Sequence, residues 1–157
     1  MRTELIDGIT VRPLRNGETA VVQSVFDLLG PRSRLLRFGG AKIVLTEADR
    51  RELSRVDGDH HVLVALLEGK PVGIARLVRD GTVADVAVAV ADACQHRGVG
   101  TVLVERLAAD ARAAGIEELR ATMQVENAAS LALMKRVTRG LRARCAAGQL
   151  EVVGRAA

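Results

Sequence analysis

A strand-to-helix turn that carries two glycines constrains this chain more than any other stretch. Residues 83–90 (VADVAVAV) form an apolar run typical of a buried strand, and residues 95–101 (QHRGVGT) follow after a short link. Beyond the turn, apolar residues recur at helical spacing along residues 99–114. Helix N-termini present unpaired backbone N–H groups, and Gly98 and Gly100 have no side chains to keep a ligand away from the backbone. The turn is therefore suited to bind an anion, most often a phosphate or pyrophosphate.

The spacing of the glycines separates this turn from two common phosphate-binding motifs. The chain has no Gly-x-x-x-x-Gly-Lys-Ser/Thr sequence, which argues against a P-loop NTPase. A dinucleotide-binding fold would place Gly-x-Gly-x-x-Gly near the start of a βαβ unit, with an acidic residue closing the next strand. Here the pattern is Gln-x-x-Gly-x-Gly, and it lies late in the chain. A tight strand–helix turn without a ligand is the alternative interpretation.

Composition narrows the class of protein to a globular domain. The chain has 157 residues, enough for one domain with a core, and 48% of them are hydrophobic. No apolar run approaches the ~20 residues that span a bilayer, and residues 1–4 are followed by no long apolar segment, so we expect neither a membrane span nor a signal peptide. Cys94 and Cys145 are too few for a disulfide framework, which favours the reducing cytoplasm.

The charge pattern favours a polyanionic small molecule over nucleic acid. The net charge is +4, and arginine supplies most of the basic residues. The chain has no Trp, no Tyr and only 2 Phe, so it lacks the aromatic residues that stack on bases, and its arginines alternate with acidic residues. We therefore expect no nucleic-acid partner. We also expect no metal site, because His60 and His61 are adjacent and would point to opposite faces of a strand.

Strand and helix patterns alternate along the whole chain and predict a mixed α/β fold. The strand patterns cover residues 9–14, 60–67, 72–78, 82–90 and 118–124, with a last hairpin formed by 140–145 and 150–153. The helical patterns cover residues 18–29, 46–56, 98–114 and 127–136, with a short helix or turn at 33–40. We expect Asn16 to cap the first helix, a Thr-x-x-acid capping box to open the helix at Thr46, and residues 154–157 to fray.

The Gln-x-x-Gly-x-Gly turn resembles the acetyl-CoA loop of the Gcn5-related N-acetyltransferases, the GNAT superfamily. The predicted order of elements matches that family over nearly the whole chain. Three stretches look closest to the Pat-type protein lysine acetyltransferases of bacteria: residues 33–38 (SRLLRF), residues 72–76 (VGIAR), and residues 84–87 (ADVA) continued by 90–101. The resemblance implies one GNAT domain over residues 1–157, of the α/β (α+β) class, with a central mixed, mostly antiparallel sheet of six to seven strands flanked by about four helices.

The resemblance also implies acetyl-CoA as the cofactor and assigns the residues that bind it. Backbone groups of residues 88–90 would hold the pantetheine arm as an added strand does, and a backbone N–H there would reach the thioester oxygen. Residues 95–101 would bind the pyrophosphate, and Asn127 would either contact the cofactor or serve only as a helix cap. The full predicted set is Val88, Ala89, Val90, Gln95, His96, Arg97, Gly98, Val99, Gly100, Thr101 and Asn127.

Asp85 is the candidate general base. It interrupts an apolar strand, and strand alternation places it on one face with Ala87 and Ala89, whose small side chains leave room for a substrate. A partly desolvated carboxylate can accept a proton directly or through water. Pat-type enzymes place a Glu at the matching position, and the shorter Asp makes a water relay the better fit. A structural salt bridge, for instance with Arg76, is the alternative.

The proton donor of many GNAT enzymes has no counterpart in this chain. In those enzymes a Tyr on the last helix protonates the departing CoA thiolate, whereas here Met134 stands at that position and the chain contains no Tyr. A CoA thiolate can leave without full protonation, because thiols are fairly acidic. Pat-type enzymes also lack this Tyr, and a member that has lost activity would lack it too. Arg34 and Arg37 either border the acceptor site or only decorate a helix.

The sequence therefore predicts an N-acetyltransferase that moves an acetyl group from acetyl-CoA to a primary amine. A protein lysine is the first expected acceptor, by resemblance only, and a small-molecule amine is the second. A CoA-binding or sensing module without catalysis is a third interpretation, suggested by Asp85 and Met134 at the family's Glu and Tyr positions. We expect a cytoplasmic protein without a membrane partner, and a homodimer stays open.

Overall fold

The computed structural model describes residues 4–6, 8–38 and 44–157. The strands, in chain order, are β1 (Glu4–Ile6), β2 (Ile9–Pro13), β3 (His60–Leu67), β4 (Lys70–Asp80), β5 (Val83–Val90), β6 (Glu118–Gln124), β7 (Thr138–Ala146) and β8 (Gln149–Ala156). The helices are α1 (Thr19–Asp27), α2 (Pro31–Phe38), α3 (Glu47–Leu53), α4 (Val99–Ala113) and α5 (Ala128–Val137), and a 3₁₀ turn spans Asp92–Cys94. The last two residues of the predicted element 33–40 lie outside the described residues.

All the described strands belong to one sheet in the order β1-β2-β3-β4-β5-β6-β8-β7. Neighbouring strands are antiparallel except β5 and β6, which run parallel. The expected fold class and the mixed, mostly antiparallel sheet are confirmed. The described sheet has 8 strands, one more than the upper expectation, because three residues near the N-terminus pair with β2 as an edge strand.

Two hydrophobic cores cover the two faces of this sheet. On one face α4 packs its apolar side, including Leu103 and Leu107, against the sheet. On the other face α1 contributes Val22 and Phe26 to a second, smaller cluster. Strand β3 feeds both cores by alternation: Leu63 and Ala65 face α4, while Val62 and Val64 face α1.

The helix starts follow local capping chemistry, with one correction to the sequence prediction. The capping box at Thr46 is confirmed: Thr46 Oγ1 accepts from the N–H of Asp49 at 3.1 Å, and the Asp49 carboxylate accepts from the N–H of Thr46 at 2.9 Å. The predicted cap at Asn16 is wrong. The chain turns at Gly17, α1 begins only after Glu18, and Asn16 Oδ1 instead accepts from the N–H of Val56 at 2.9 Å.

The C-terminal segment is ordered in the sheet, so the predicted fraying of residues 154–157 is also wrong. Strand β8 continues to Ala156 because it pairs on both sides, Arg155 with Glu118 of β6 and Ala156 with Thr138 of β7. Two hydrogen-bonded neighbours hold this strand more firmly than the single neighbour of an edge strand would. Among the described residues, no helix is both long and apolar enough to cross a membrane.

Candidate active site

The predicted glycine turn connects β5 to α4. Glycine is favoured at its two positions for different structural reasons. Gly98 is the N-cap residue of α4 with φ 85°, a left-handed conformation, and a Cβ there would meet no heavy atom within 4 Å. The backbone conformation alone therefore favours glycine at this position. At Gly100, a Cβ would lie 3.3 Å from Leu133 Cδ1, so the first turn of α4 lies close against α5. His96 also has a left-handed φ of 63°.

A cleft with a volume of about 250 Å³, here called the loop cleft, runs from this turn along β5, with α2 and α5 beside it. The predicted cofactor-binding residues that line it are Val88, Ala89, Val90, Gln95, His96, Gly98, Gly100, Thr101 and Asn127. Two predicted residues do not line it: Val99 is buried in the α4 core, and Arg97 is exposed to solvent. The structure thus brings most of the predicted set to one cleft, and their contacts with a cofactor stay a prediction.

The parallel strands β5 and β6 separate beside the loop cleft. They pair only from Val83 to Asp85 on β5, whereas β4 pairs with the other edge of β5 up to Val90. Among the described strands, residues 86–90 therefore have one edge without a partner. Such an edge can accept an extended chain through backbone hydrogen bonds. The gap holds a second cavity of about 50 Å³, here called the inter-strand cavity.

A hydrogen-bond network ties α2 to the glycine turn. Gln95 Nε2 donates to Ser33 Oγ at 3.0 Å and to the carbonyl of Val90 at 3.2 Å. Ser33 Oγ in turn donates to Asp92 Oδ1 at 2.6 Å, and the backbone N–H of Gly30 donates to Asp92 Oδ2 at 3.0 Å. The Gln95 side chain thus fixes α2 beside the loop cleft. Sequence reasoning assigned Gln95 to the cofactor and missed this second use, because Ser33 is 62 residues away.

The last helix supplies the two residues that sequence analysis compared with the family's cofactor contact and proton donor. Asn127 Oδ1 accepts from the N–H of Ser130 at 3.1 Å, so Asn127 is a helix cap, and it also lines both the loop cleft and the inter-strand cavity. Met134 is 2% exposed and lines the inter-strand cavity. A thioether donates no hydrogen bond, so Met134 brings no proton donor to this cavity.

Asp85 is held in an ion pair with Arg120 of β6. Arg120 Nε donates to Asp85 Oδ1 at 2.6 Å, and Arg120 Nη2 donates to Asp85 Oδ2 at 2.9 Å. The hydrogen bonds to Asp85 raise the pKa of Arg120 above its usual range. Arg76, the partner suggested from the sequence, instead binds Glu52 at 2.8 Å. Asp85 lines neither the loop cleft nor the inter-strand cavity as the described residues form them.

A third cavity of about 30 Å³ lies on the α1 face of β5, and we call it the arginine cavity. Ala87 and Ala89 of β5 line it, together with apolar side chains and two arginines, Arg37 and Arg76. Arg37 also lines the loop cleft and the inter-strand cavity, so it stands where the three spaces meet. Burial, and to a smaller extent the charge of Arg76, lower the pKa of Arg37 to about 10.

Arg37 borders all three cavities and so does more than decorate α2, while its place at an acceptor site stays a prediction. The sequence contains a pattern that indicates this position of Arg37. Ser33 and Arg37 are four residues apart, so they share one face of α2, and both line the loop cleft. Arg120 gave no comparable signal, because its pairing with Asp85 depends on the β5–β6 register.

Comparison with known proteins identifies the family. The sequence model of the acetyltransferase (GNAT) family matches residues 25–138, well over half of the chain. The chain therefore belongs to the acetyltransferase (GNAT) family, and the predicted recognition, enzyme class and acetyl-CoA cofactor are confirmed at the level of that family.

Several solved structures share the fold. The GNAT domain of S. lividans PAT superposes with a TM-score of 0.84 at 24% identity, over 94% of this chain and 90% of that one. The cAMP-binding acyltransferase from Mycobacterium smegmatis gives a TM-score of 0.65 at 25% identity, over 95% of this chain but only 44% of that one. YncA from Salmonella typhimurium, solved with its cofactor acetyl-CoA, gives 0.65 at 22% identity, over 95% and 92%.

Proposed function

We propose that this chain transfers the acetyl group of acetyl-CoA to a primary amine. The observation that carries the proposal is the course of the loop cleft, which joins the N-terminus of α4 to the unpaired edge of residues 86–90. A helix N-terminus favours a pyrophosphate, and a free strand edge favours the amide groups of a pantetheine arm. The two features lie in the order in which the cofactor carries these groups, so the residues present fit acetyl-CoA.

Within this proposal each part of the chain has a separate task. Acetyl-CoA, when bound, supplies an activated acetyl thioester. Gly98, Gly100 and Thr101 offer backbone groups to the pyrophosphate, and residues 88–90 offer backbone groups to the pantetheine. Helix α2, tied down by Gln95, covers the cleft and limits the access of water. The acceptor amine must be neutral to attack, so it has to lose a proton before or during the reaction.

Asp85 as the base that takes this proton stays a prediction. Its place on the same face as Ala87 and Ala89 supports the role. Its two hydrogen bonds from Arg120 support the structural alternative, since both carboxylate oxygens already have a cationic partner. Variants of both residues separate the two roles, as argued below.

The acceptor is the open part of the proposal. A protein lysine is the acceptor that the resemblance to Pat-type enzymes suggests, and the likeness in fold to the GNAT domain of S. lividans PAT is compatible with it. A small-molecule amine is favoured by a separate observation, the small arginine cavity beside Ala87 and Ala89.

We also propose that residues 1–157 act as a single domain, supported by a sheet that draws strands from both ends of the described chain.

Calorimetric titration with acetyl-CoA and with CoA, followed by a thiol-release assay, tests this function. We expect saturable binding of both molecules and release of free CoA only when an amine is added. Candidate acceptors should include simple amines, amino acids and lysine-containing peptides. Binding without thiol release for any acceptor would leave a CoA-binding module. No binding at high cofactor concentration would overturn the proposal.

A further inference from the structure

We propose that propionyl-CoA and butyryl-CoA serve this chain as acyl donors alongside acetyl-CoA, and that the inter-strand cavity holds the carbons beyond the acetyl group. The inference rests on the proposed acetyl transfer and names the class of donor for the same site. With each donor the amine nitrogen bonds to the thioester carbonyl carbon, the carbon–sulfur bond breaks, and CoA takes up the proton that the amine loses. The position, lining and size of the cavity carry the argument.

The inter-strand cavity adjoins the loop cleft at the acyl end of the proposed donor path. The pyrophosphate is proposed to bind at the start of α4, and the pantetheine arm along residues 88–90 of β5. The next residues of β5 in that direction, Ala87 and Val86, line the inter-strand cavity. Val88 and Leu133 line both spaces, so the two adjoin. A donor held along this path therefore brings its acyl group to the mouth of the inter-strand cavity.

The cavity lies where two parallel strands separate. Asp85 and Arg120 are the last register partners of β5 and β6. Beyond them the cavity is lined by residues 86–88 of β5 and residues 121–123 of β6. Because pairing between the two backbones has ended at this level, the space between the strands can receive a chain that enters from the loop cleft.

The deep wall of the cavity is apolar. Its buried members come from β5, β6, α4 and α5 and belong to the larger of the two cores: Val86, Val104, Ala121, Met123 and Met134. Three polar members of the described lining also line the loop cleft, and so stand at the junction of the two spaces: Arg37, Asn127 and Ser130. The fourth, Thr122, is exposed to solvent. An alkyl chain that passes the junction therefore meets apolar side chains, whereas a hydroxyl or carboxylate group would lose water there without gaining hydrogen bonds.

The volume of the cavity sets the length of the acyl chain. The inter-strand cavity measures about 50 Å³, and about 15 Å³ is enough for one water-sized group, so about three methyl or methylene groups fit. Beyond its carbonyl carbon an acetyl group has one carbon, a butyryl group has three and an octanoyl group has seven. Butyryl therefore fills the cavity, acetyl leaves part of it empty, and octanoyl exceeds it. Wall atoms beside an empty space forgo van der Waals contacts, so filling the space favours butyryl over acetyl.

The first test compares donors with one acceptor amine. Acetyl-CoA, propionyl-CoA, butyryl-CoA and octanoyl-CoA are assayed by thiol release, and each rate is divided by the uncatalysed aminolysis rate of the same donor. We expect kcat/KM to rise about 4-fold with each methylene up to butyryl-CoA, about 15-fold in all, and to fall for octanoyl-CoA. Values that are equal, or that fall from acetyl-CoA to butyryl-CoA, would overturn the inference and leave the acetyltransferase proposal standing.

Two substitutions at the wall change the size of the cavity in opposite directions. Ala121→Val should lower the butyryl-to-acetyl ratio of kcat/KM by about 10-fold, and Met134→Ala should raise the hexanoyl-to-acetyl ratio by about the same factor. Each ratio compares two donors on one protein, so a loss of folded protein cancels. Leu131→Ala is the control, because Leu131 lies on the same helix as Met134, packs against the same core and lines none of the three cavities. Ratios that stay at the wild-type value in both wall variants, or that shift equally in Leu131→Ala, would count against the assigned cavity.

Direct binding decides the inference even if no acceptor supports turnover. Calorimetric titrations with acetyl-CoA and with butyryl-CoA, without an amine, compare the two donors. We expect butyryl-CoA to bind about 15-fold more tightly than acetyl-CoA, and Ala121→Val to remove most of this difference. Tighter binding of butyryl-CoA without turnover of either donor supports the inference and points to failure of the proposed function alone. Acetyl-CoA that binds as tightly as butyryl-CoA, or more tightly, overturns the inference alone, whereas binding of neither donor overturns both proposals.

Discussion

Arg120 donates one hydrogen bond to each carboxylate oxygen of Asp85, at 2.6 Å and 2.9 Å. The two residues are partners in the register of β5 and β6, and theirs is the last pair before these strands separate. The ion pair therefore marks the point where the sheet opens. It joins the only two parallel strands among the described neighbours, where hydrogen bonding between backbones has just ended.

We expect Asp85→Asn and Arg120→Gln each to lower the free energy of unfolding by about 1 kcal/mol, with the double variant no less stable than the worse single variant. The side chains are 47% and 31% exposed, so solvent screens the charges of the pair. Its contribution to the free energy of unfolding should therefore lie near the upper end of what surface ion pairs contribute, about 1 kcal/mol. Urea unfolding measures the change. Additive losses in the double variant would show that the two side chains do not stabilise each other.

Turnover in the same variants tests the base role of Asp85. If Asp85 is the base, Asp85→Asn should lose most of kcat while its affinity for acetyl-CoA stays at the wild-type value, and Arg120→Gln should keep its activity. If the two residues only form a structural ion pair, both variants should show small and similar losses of kcat. Glu105→Gln breaks a comparably exposed ion pair with Arg136, which joins α4 to α5 and lines none of the three cavities, and serves as the control for general effects on stability.

Acid is expected to weaken the link between β2 and the start of α1. Two hydrogen bonds from Arg12, at 2.9 and 3.0 Å, and one from the N–H of Arg15 lower the pKa of Glu18. A carboxylate with a lowered pKa in the folded state stabilises the fold above its unfolded pKa, and that stabilisation is lost as the pH falls through its folded pKa. Glu18→Gln should therefore be about 1 kcal/mol less stable than wild type at pH 7 and close to it in strong acid.

The measurement for Glu18 is urea unfolding of both proteins across the acid range. Glu117→Gln is the control, because Glu117 is exposed and its side chain makes no hydrogen bond or ion pair with the described residues. A stability gap between Glu18→Gln and wild type that does not shrink on acidification would contradict the assigned cause.

Local sequence signals were enough for the elements whose ends are marked by turns. Strands β3 (His60–Leu67) and β6 (Glu118–Gln124) lie at the predicted residues, because alternation and flanking turn residues both define them. The errors arose where a distant partner decides the outcome. Residues 154–156 stay in the sheet because two other strands pair with them, and Asn16 binds the N–H of Val56, 40 residues away.

The same distinction between local and distant determinants applies to the candidate site. The glycine turn and the strand before it could be predicted from residue spacing, since a site made of backbone groups depends on local conformation. The partners of its side chains were not readable, because they come from elements that meet only in the folded sheet. Asp85 pairs with Arg120 and not with Arg76, since Arg76 turns toward Glu52 of α3. Arg37 reaches β5 from α2, a helix that Gln95 and Ser33 tie to the glycine turn.

The Gln95–Ser33–Asp92 network should control the mobility of α2. Ser33→Ala removes the hydrogen bonds that Ser33 Oγ makes with Asp92 and Gln95, at 2.6 and 3.0 Å. We expect faster hydrogen exchange at the backbone amides of residues 32–38 in α2, by about 10-fold, with little change in β3. Ser24→Ala is the control, because the hydrogen bond from Ser24 Oγ to the carbonyl of Ala20, at 2.9 Å, stays within α1. Equal exchange in α2 of both variants would show that the network does not hold this helix.

The glycine turn offers the sharpest separation of folding from binding. Gly98 and Gly81 both have left-handed backbones, φ 85° and 66°, and at both positions a Cβ meets no heavy atom within 4 Å. Gly98→Ala and Gly81→Ala should therefore lower stability by a similar amount, about 1 kcal/mol, from backbone strain alone. Gly98 lines the loop cleft and Gly81 lies in the turn between β4 and β5, so only Gly98→Ala places a methyl group where the pyrophosphate is proposed to bind.

We expect Gly98→Ala to weaken acetyl-CoA binding by about 10-fold and Gly81→Ala to leave it unchanged, measured by calorimetry at a temperature where both variants are folded. The backbone N–H groups of the turn can bind phosphate oxygens only at close approach, and a methyl group holds the ligand away from them. Dephospho-CoA and pantetheine extend the test. The loss in Gly98→Ala should persist with dephospho-CoA, which keeps the pyrophosphate, and disappear with pantetheine, which lacks it. A loss that persists with pantetheine would place the effect of Gly98 on the arm along β5 and not on the pyrophosphate.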